Sequence, residues 1–389
     1  MVQTRCERHR RPLQTDIIYK SLKSLQIFTA LDYFIRVGLS MLIRDPTKRP
    51  TRFYPKRHWP SAIVLILFVI VLVVFVEESI RTSDVACELN PECAVKAHRW
   101  ITVEKDSLVE CPCLTLIDQD LAPKSLEAWM QPKDVTKKVA QLAAAGDLRT
   151  IQLVNRYLPV IPDELRRCRN MRHLALVYTH TETLPTWIKK FVKLEYLYVE
   201  GTFTSSLLML PEDIFNDMPC LTFIHLGMHL HMQHLPSFDG LINLKALTLA
   251  VFVSLPAFDR LTSLERLLLV ALSSTKGLPD LPSVKKLKTF TVNDRGGWCC
   301  NGFLGECDVD DPFCGAMPLV GLPPVSCLEP TDPRATTETL AVVNKFSSTT
   351  CRSPEPTITI PGPPTPEGIA QCGGILYRRC NVSGFEEAM

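Results

Sequence analysis

Apolar residues recur in a fixed phase from residue 148 onward. An anchor is followed three and five residues later by two more apolar positions: Leu148/Ile151/Leu153, Met171/Leu174/Leu176, Leu194/Leu197/Val199, Leu221/Ile224/Leu226, Leu244/Leu247/Leu249, Leu264/Leu267/Leu269 and Leu287/Phe290/Val292. Successive anchors lie 23, 23, 27, 23, 20 and 23 residues apart. The alternation of the second and third members puts two side chains on one face of a short strand. An apolar residue followed by proline recurs downstream, at Ile161-Pro162, Leu184-Pro185, Leu210-Pro211, Leu235-Pro236, Leu255-Pro256 and Leu278-Pro279. Proline has no N–H for a sheet ladder, so it marks where the chain leaves the strand and turns over the opposite side. One such unit cannot bury its own apolar stripe, whereas seven stacked units share a core. The pattern predicts a solenoid over residues 148–294, with short parallel strands and a mostly non-helical convex side.

The L-x-x-L-x-L spacing with its downstream L-P resembles the leucine-rich repeat superfamily. The resemblance implies a leucine-rich repeat solenoid of α/β type. That superfamily places an asparagine eight residues after each anchor, where its amide bonds the neighbouring turn. Here those positions hold Arg156, Thr179, Thr202, His229, Phe252, Leu272 and Arg295. The turns must therefore satisfy their backbone groups by other means, and the 27- and 20-residue repeats imply locally irregular coils.

A different pattern precedes the repeats. Residues 62–76, AIVLILFVIVLVVFV, run for fifteen positions without a polar side chain. With Trp59 and Pro60 in front, the stretch approaches the roughly 17–25 residues that cross a bilayer, predicting a transmembrane helix over 60–77. Tyr54 and Trp59 are suited to an interfacial aromatic belt. Arg49, Arg52, Lys56 and Arg57 lie before the run, and Glu77 and Glu78 lie just after it. Residues 1–59 carry thirteen Lys/Arg against four Asp/Glu. The positive-inside rule thus puts this basic segment in the cytosol and everything after residue 77 on the extracellular or luminal side of a single-pass protein. A cleaved secretory signal is the alternative, but 59 residues precede the run and no small-x-small cleavage pattern follows. Residues 25–43 are apolar but interrupted by Asp32 and Arg36, which reads as an interfacial amphipathic helix rather than a span. If they did span, the basic loop 44–59 would still face the cytosol.

Fifteen cysteines fit an oxidising compartment, and fourteen of them follow the apolar run. Cys87, Cys93, Cys111 and Cys113 cluster within an N-terminal cap over 83–147. This clustering resembles the cysteine caps of extracellular repeat proteins and implies two disulfides. Residues 134–145 read as a helix with Asp134 as N-cap and Gly146 as stop, leading into the first repeat. Past the repeats, a cysteine-rich module over 295–316 holds Cys299, Cys300, Cys307 and Cys314. Residues 317–368 are rich in Pro, Thr and Ser with only Cys327 and Cys351, predicting an extended linker. The terminal segment 369–389 carries Cys372 and Cys380, then the glycosylation sequon at Asn381. The stretches GWCCNGFLGEC at 297–307 and the cysteine segment at 370–380, together with the basic segment 44–59, resemble an oomycete family of membrane proteins with short repeat arrays and a WLGC-type terminal module.

Candidate chemistry adds little to this architecture. His225, His229, His231 and His234 have the look of a copper or zinc site, but the repeat register makes them surface residues of an irregular coil. Cys299, Cys300, Cys307 and Cys314 lack a C-x-x-C pair and read as disulfides rather than zinc ligands. Asp308, Asp310 and Asp311 lack the Gly and Glu of a calcium loop. No nucleophile with a base, carboxylate pair or phosphate loop stands out, so no catalytic residue, metal or cofactor is expected, and a net charge of +2 points away from nucleic acid. The expected function is binding of an extracellular protein, peptide or glycan by a non-enzymatic, receptor-like ectodomain; a structural cell-wall or self-associating role, or a secreted effector released by cleavage, are the alternatives. The expected site is the concave sheet, where His173, Tyr178, Tyr196, Tyr198, Phe223 and His225 take outward positions while the fifth repeat offers only Ala246, Thr248 and Ala250.

Overall fold

The computed structural model describes residues 59–97, 110–120, 126–202, 205–229, 232, 234–250, 254–270, 272, 275–293, 296–311, 314–316 and 324–351. The basic segment with residues 25–43 and Cys6, and the tail with Cys372, Cys380 and Asn381, lie outside the described residues. So do His231, Phe252 and Arg295. The chain forms two compact units, residues 1–89 with 97–109, and residues 90–96 with 110–389.

The described part of the first unit is a helix, α1 (Trp59–Ala86). Its segment Ile63–Ala86 is long and apolar enough to cross a membrane. Val64, Phe68, Val71 and Val74 are each about 60% exposed, which a helix in a soluble core would not tolerate. The helix is longer than the span expected from residues 60–77: it continues past Glu77 and Glu78 for two more turns. There Thr82 and Ser83 hydroxyls donate back to the carbonyls of Glu78 and Ser79. At 1.5 Å per residue the whole helix measures about 42 Å, longer than the roughly 30 Å of an apolar bilayer core.

The second unit is a solenoid of stacked parallel strands. Each of the seven anchors is followed two residues later by a five-residue strand: β3 (Thr150–Val154), β4 (His173–Val177), β5 (Tyr196–Glu200), β6 (Phe223–Gly227), β7 (Ala246–Ala250), β8 (Arg266–Val270) and β9 (Thr289–Asn293). They pair in sequence order, every neighbour parallel and every inner residue level with the next, so Ile151, Leu174, Leu197, Ile224, Leu247, Leu267 and Phe290 form one continuous row. All fourteen inward strand residues are buried. The proline landmarks do turn the chain: Pro162 and Pro185 are extended and lead into short 3-10 turns at Asp163–Arg167 and Thr186–Lys190. A spine of phenylalanines, Phe191, Phe215, Phe238 and Phe258, fills the space behind the leucines, each no more than 2% exposed.

Both ends of the core are closed. Upstream, β1 (Cys93–Lys96) pairs antiparallel with β2 (Cys113–Gln119), and Cys93–Cys113 is a disulfide. Strand β2 continues the parallel sheet onto β3, so the cap itself supplies an eighth parallel strand that the repeat pattern does not reveal. Its Asp118 stands level with Leu153, at an inward position, and is 5% exposed. Arg156 Nε pairs with its Oδ1 at 2.6 Å, while its buried Oδ2 has no hydrogen-bond partner among the described residues; the first residue off the asparagine pattern thus reaches into the cap. Cys87, Cys111 and Cys220 are disulfide-bonded as well; Cys168 is free and buried. A short helix α2 (Leu126–Met130) precedes α3 (Thr136–Ala144). The α3 helix starts two residues later than expected, with Asp134 not as N-cap but as an outside acceptor for the Thr136 N–H at 2.8 Å. Gly146 stops it with φ +73°.

Downstream the structure departs from the expected extended linker. Residues 324–351 fold back on the last repeats through α4 (Thr337–Lys345) and α5 (Ser347–Thr350). Thr336 caps α4 by accepting from the Thr339 N–H. Thr339 reaches Asp280 and the Leu281 N–H, Thr349 donates to the Phe290 carbonyl, and Phe346 packs edge-on against Phe290. Disulfides Cys299–Cys351 and Cys307–Cys327 join this segment to the cysteine-rich module, which Cys300–Cys314 closes on itself, as one cap with buried Trp298. Composition misled here because a cap stapled by disulfides needs little apolar sequence.

Candidate functional site

Strand register builds the site. The first outward row reads Thr150, His173, Tyr196, Phe223, Ala246, Arg266 and Thr289; the second reads Gln152, Ala175, Tyr198, His225, Thr248, Leu268 and Thr291. Neighbouring strands lie about 4.8 Å apart, a spacing at which level aromatic side chains stack. Tyr196 and Phe223 have ring centroids 4.3 Å apart and planes within 6°. Tyr198 and His225 lie at 3.9 Å and 6°. His173 extends the first row with a tilted ring 6.2 Å from Tyr196, and its Nδ1 lies 3.2 Å from the Thr150 hydroxyl. The result is an aromatic ladder across β4–β6, standing on the sheet and half-buried by its own members. Such pairs contribute about 0.5–1.5 kcal/mol each beyond area burial.

A carboxylate that the aromatic reading missed sits at the ladder's edge. Glu200, the last residue of β5, accepts from the Tyr178 hydroxyl at 3.1 Å and the Tyr198 hydroxyl at 2.8 Å. His225 Nε2 is 3.9 Å from it, and the two side chains are 14% and 18% exposed. Gly227 makes this approach possible: a Cβ there would lie 2.9 Å from His225 Nε2. Tyr178 is not a strand residue. It follows β4 with φ +53°, a left-handed conformation costly for a bulky side chain, and from there its ring meets Trp129 of α2 at 6.3 Å. The structure thus brings five of the six expected residues into one ladder and joins Tyr178 to it through Glu200. Register would have found Glu200, which stands between Val177 and Gly227; nothing in the repeat pattern points to Trp129.

The histidines divide by environment. His229, expected on the surface, is 1% exposed. It occupies the asparagine position of its repeat and does that residue's work: Nδ1 accepts from the Leu207 N–H at 3.3 Å, and Nε2 faces the Val199 carbonyl at 3.2 Å. Desolvation pushes its pKa down to about 3, so it is neutral. It thereby ties the enlarged third coil to its neighbour. Burial also lowers the pKa of His173, aided by Arg172, and that of His180. His234 is exposed. The described histidines of the 225–234 cluster therefore do not share one surface: His225 is on the strand, His229 in the buried turn and His234 in the exposed loop. Thr179 and Thr181 tie a turn in the same way two coils earlier, through a hydroxyl pair at 2.8 Å and a bond from Thr181 to the Leu158 carbonyl.

No protein-family profile matches the chain. No curated protein matches it either. Among solved structures, a leucine-rich repeat protein of Leptospira interrogans is similar at 18% identity and a TM-score of 0.24, over 47% of this chain. The match spans 61% of that protein's length.

Proposed function

We propose that this chain is a membrane-anchored, non-enzymatic binding protein whose ectodomain takes a protein, peptide or glycan partner on the concave face, in a receptor-like or co-receptor role. The observation that carries the reading is the ladder of Tyr196/Phe223 and Tyr198/His225 with Glu200 at its edge. Rigid, pre-stacked rings lose little entropy on binding, and a half-buried carboxylate beside them supplies direction. Anchoring through α1 with the N-terminus cytosolic rests on the exposed apolar helix and the basic-to-acidic change across it. Disulfides in both caps fit a non-cytosolic ectodomain. The likeness of residues 297–307 to the WLGC-type module supports an oomycete membrane protein as the source.

The test compares surface partners cross-linked to the full-length chain in intact cells with those of a Tyr196→Ala/Phe223→Ala variant. The reading expects a partner that the variant loses while its melting temperature stays within a few degrees. Identical partner sets from both chains would refute it. An N-terminal tag reachable without permeabilisation would refute the single-pass topology.

A further inference from the structure

A band of cations runs along the loops that enter β3, β4 and β5. The two 3-10 turns end in Arg167 and Lys190, which take the same place four residues before the anchors Met171 and Leu194. Arg169 follows the first turn and Lys193 the second, and Lys193 Nζ donates back to Asn170 Oδ1 at 2.6 Å, beside Arg169. Arg167 leans the other way: its Nη1 donates to the Ala144 carbonyl at 3.2 Å, at the start of the loop that carries Arg149. All five cationic side chains are exposed. Their neighbours Arg166, Arg172 and Lys189 have carboxylate partners in Asp163, Glu195 and Asp213, whereas no ion pair joins any of the five to a carboxylate among the described residues. The band ends at the next coil, where Asp217 and Cys220 stand in the places of Lys190 and Lys193.

We propose that this band binds a linear polysaccharide that carries carboxylates, a polyuronate. Like charges held close together raise the local potential, and the solenoid sets them out in a row from coil to coil. Three of the five are arginines, whose planar forks match carboxylates two bonds at a time. A folded protein partner would want an aromatic or apolar anchor at its centre. Here Val192, 44% exposed, is the large apolar side chain in the band, and no exposed ring stands beside it. A stiff sugar chain also loses less freedom in lying along such a row than a flexible acidic peptide does. The band is separate from the aromatic ladder and shares with the reading above only the extracellular side.

The experiment measures binding of polygalacturonate to the full-length chain in detergent micelles at low salt, with neutral dextran, polyglutamate and duplex DNA as comparisons. Polygalacturonate should bind ahead of all three, and more weakly as salt rises. Arg169→Glu/Lys190→Glu should lose at least about tenfold in affinity. Asp217→Lys, which extends the band by one coil, should gain about two- to fivefold. All three positions are exposed, so melting temperature should hold. Tyr196→Ala/Phe223→Ala should bind the polymer as the wild type does; a loss there would move the sugar to the ladder and overturn the band while leaving the concave face standing. Binding that survives reversal at 169 and 190 but falls in Arg52→Glu/Arg57→Glu would belong to the basic N-terminal segment and overturn the proposal. Equal binding of polyglutamate or DNA, or no binding of polygalacturonate, would overturn it as well.

Discussion

Strands β4–β6 and β7–β9 share a backbone, a register and an inner row of large apolar residues, yet their outer faces differ. The first group carries His173, Tyr196, Tyr198, Phe223 and His225; the second carries Ala246, Thr248, Arg266, Leu268, Thr289 and Thr291. Inner positions must match from coil to coil because each side chain packs against its counterpart in the next. Outer positions carry no such constraint. The contrast separates what the solenoid needs to stand from what it has available for recognition.

The largest effect should test the shared part. Leu197→Ala in β5 and Leu247→Ala in β7 remove equally buried side chains. Each should lower stability by about 2–5 kcal/mol in chemical denaturation, with little difference between them. A large loss in one half alone would mean the halves do not share one core. Next comes the downstream cap. Cys299→Ser opens a cross-link spanning 52 residues of sequence and should cost about 2–4 kcal/mol. Hydrogen exchange should show the loss in β8 and β9 and spare β4 and β5; uniform loosening would contradict a local role.

The buried imidazole predicts a pH dependence with a definite sign. His229 titrates near 3 when folded and near 6.5 when unfolded. Between these values the unfolded chain binds the proton and the folded chain does not. Its contribution to stability is therefore lost as pH falls from about 6.5 toward 3, by up to about 1.4 kcal/mol per pH unit. His229→Asn retains a donor and an acceptor without a titrating group. The wild-type minus variant difference in stability should shrink on acidification, and a pH-independent difference would sink the assignment. Smaller still, Tyr196→Ala should lower stability by about 1 kcal/mol through lost stacking, while Thr289→Ala stays within about 0.5 kcal/mol. An equal cost for both would remove the ladder as an energetic unit. Least of all, the Cys168 thiol, raised by burial to about 11, should resist alkylation in the folded chain; rapid labelling would place it outside the core.

The inward positions of the seven repeat strands were legible to the residue, because the leucine spacing is set by burial and burial is periodic; the strand ends were not, as Tyr178 just beyond β4 shows. The ladder was legible too, since outward neighbours of known inward residues align across parallel strands. What escaped has a common cause. Glu200, His229, Asp118 with Arg156, and the cap at 324–351 depend on pairings between distant residues or on disulfides. None of these leaves a period in the sequence. His229 shows it most clearly: the missing asparagine was visible, but its replacement by a buried imidazole required knowing that Leu207 and Val199 lie against it.

The most direct test of the account uses the two ends of one row. A photo-crosslinking amino acid placed at Tyr196 or at Thr289 in the full-length, membrane-inserted chain samples the aromatic and the bare parts of the same concave face. Ladder recognition predicts a discrete partner adduct from position 196 that is absent from position 289. Adducts of the same species and yield from both positions, or from 289 alone, would contradict it.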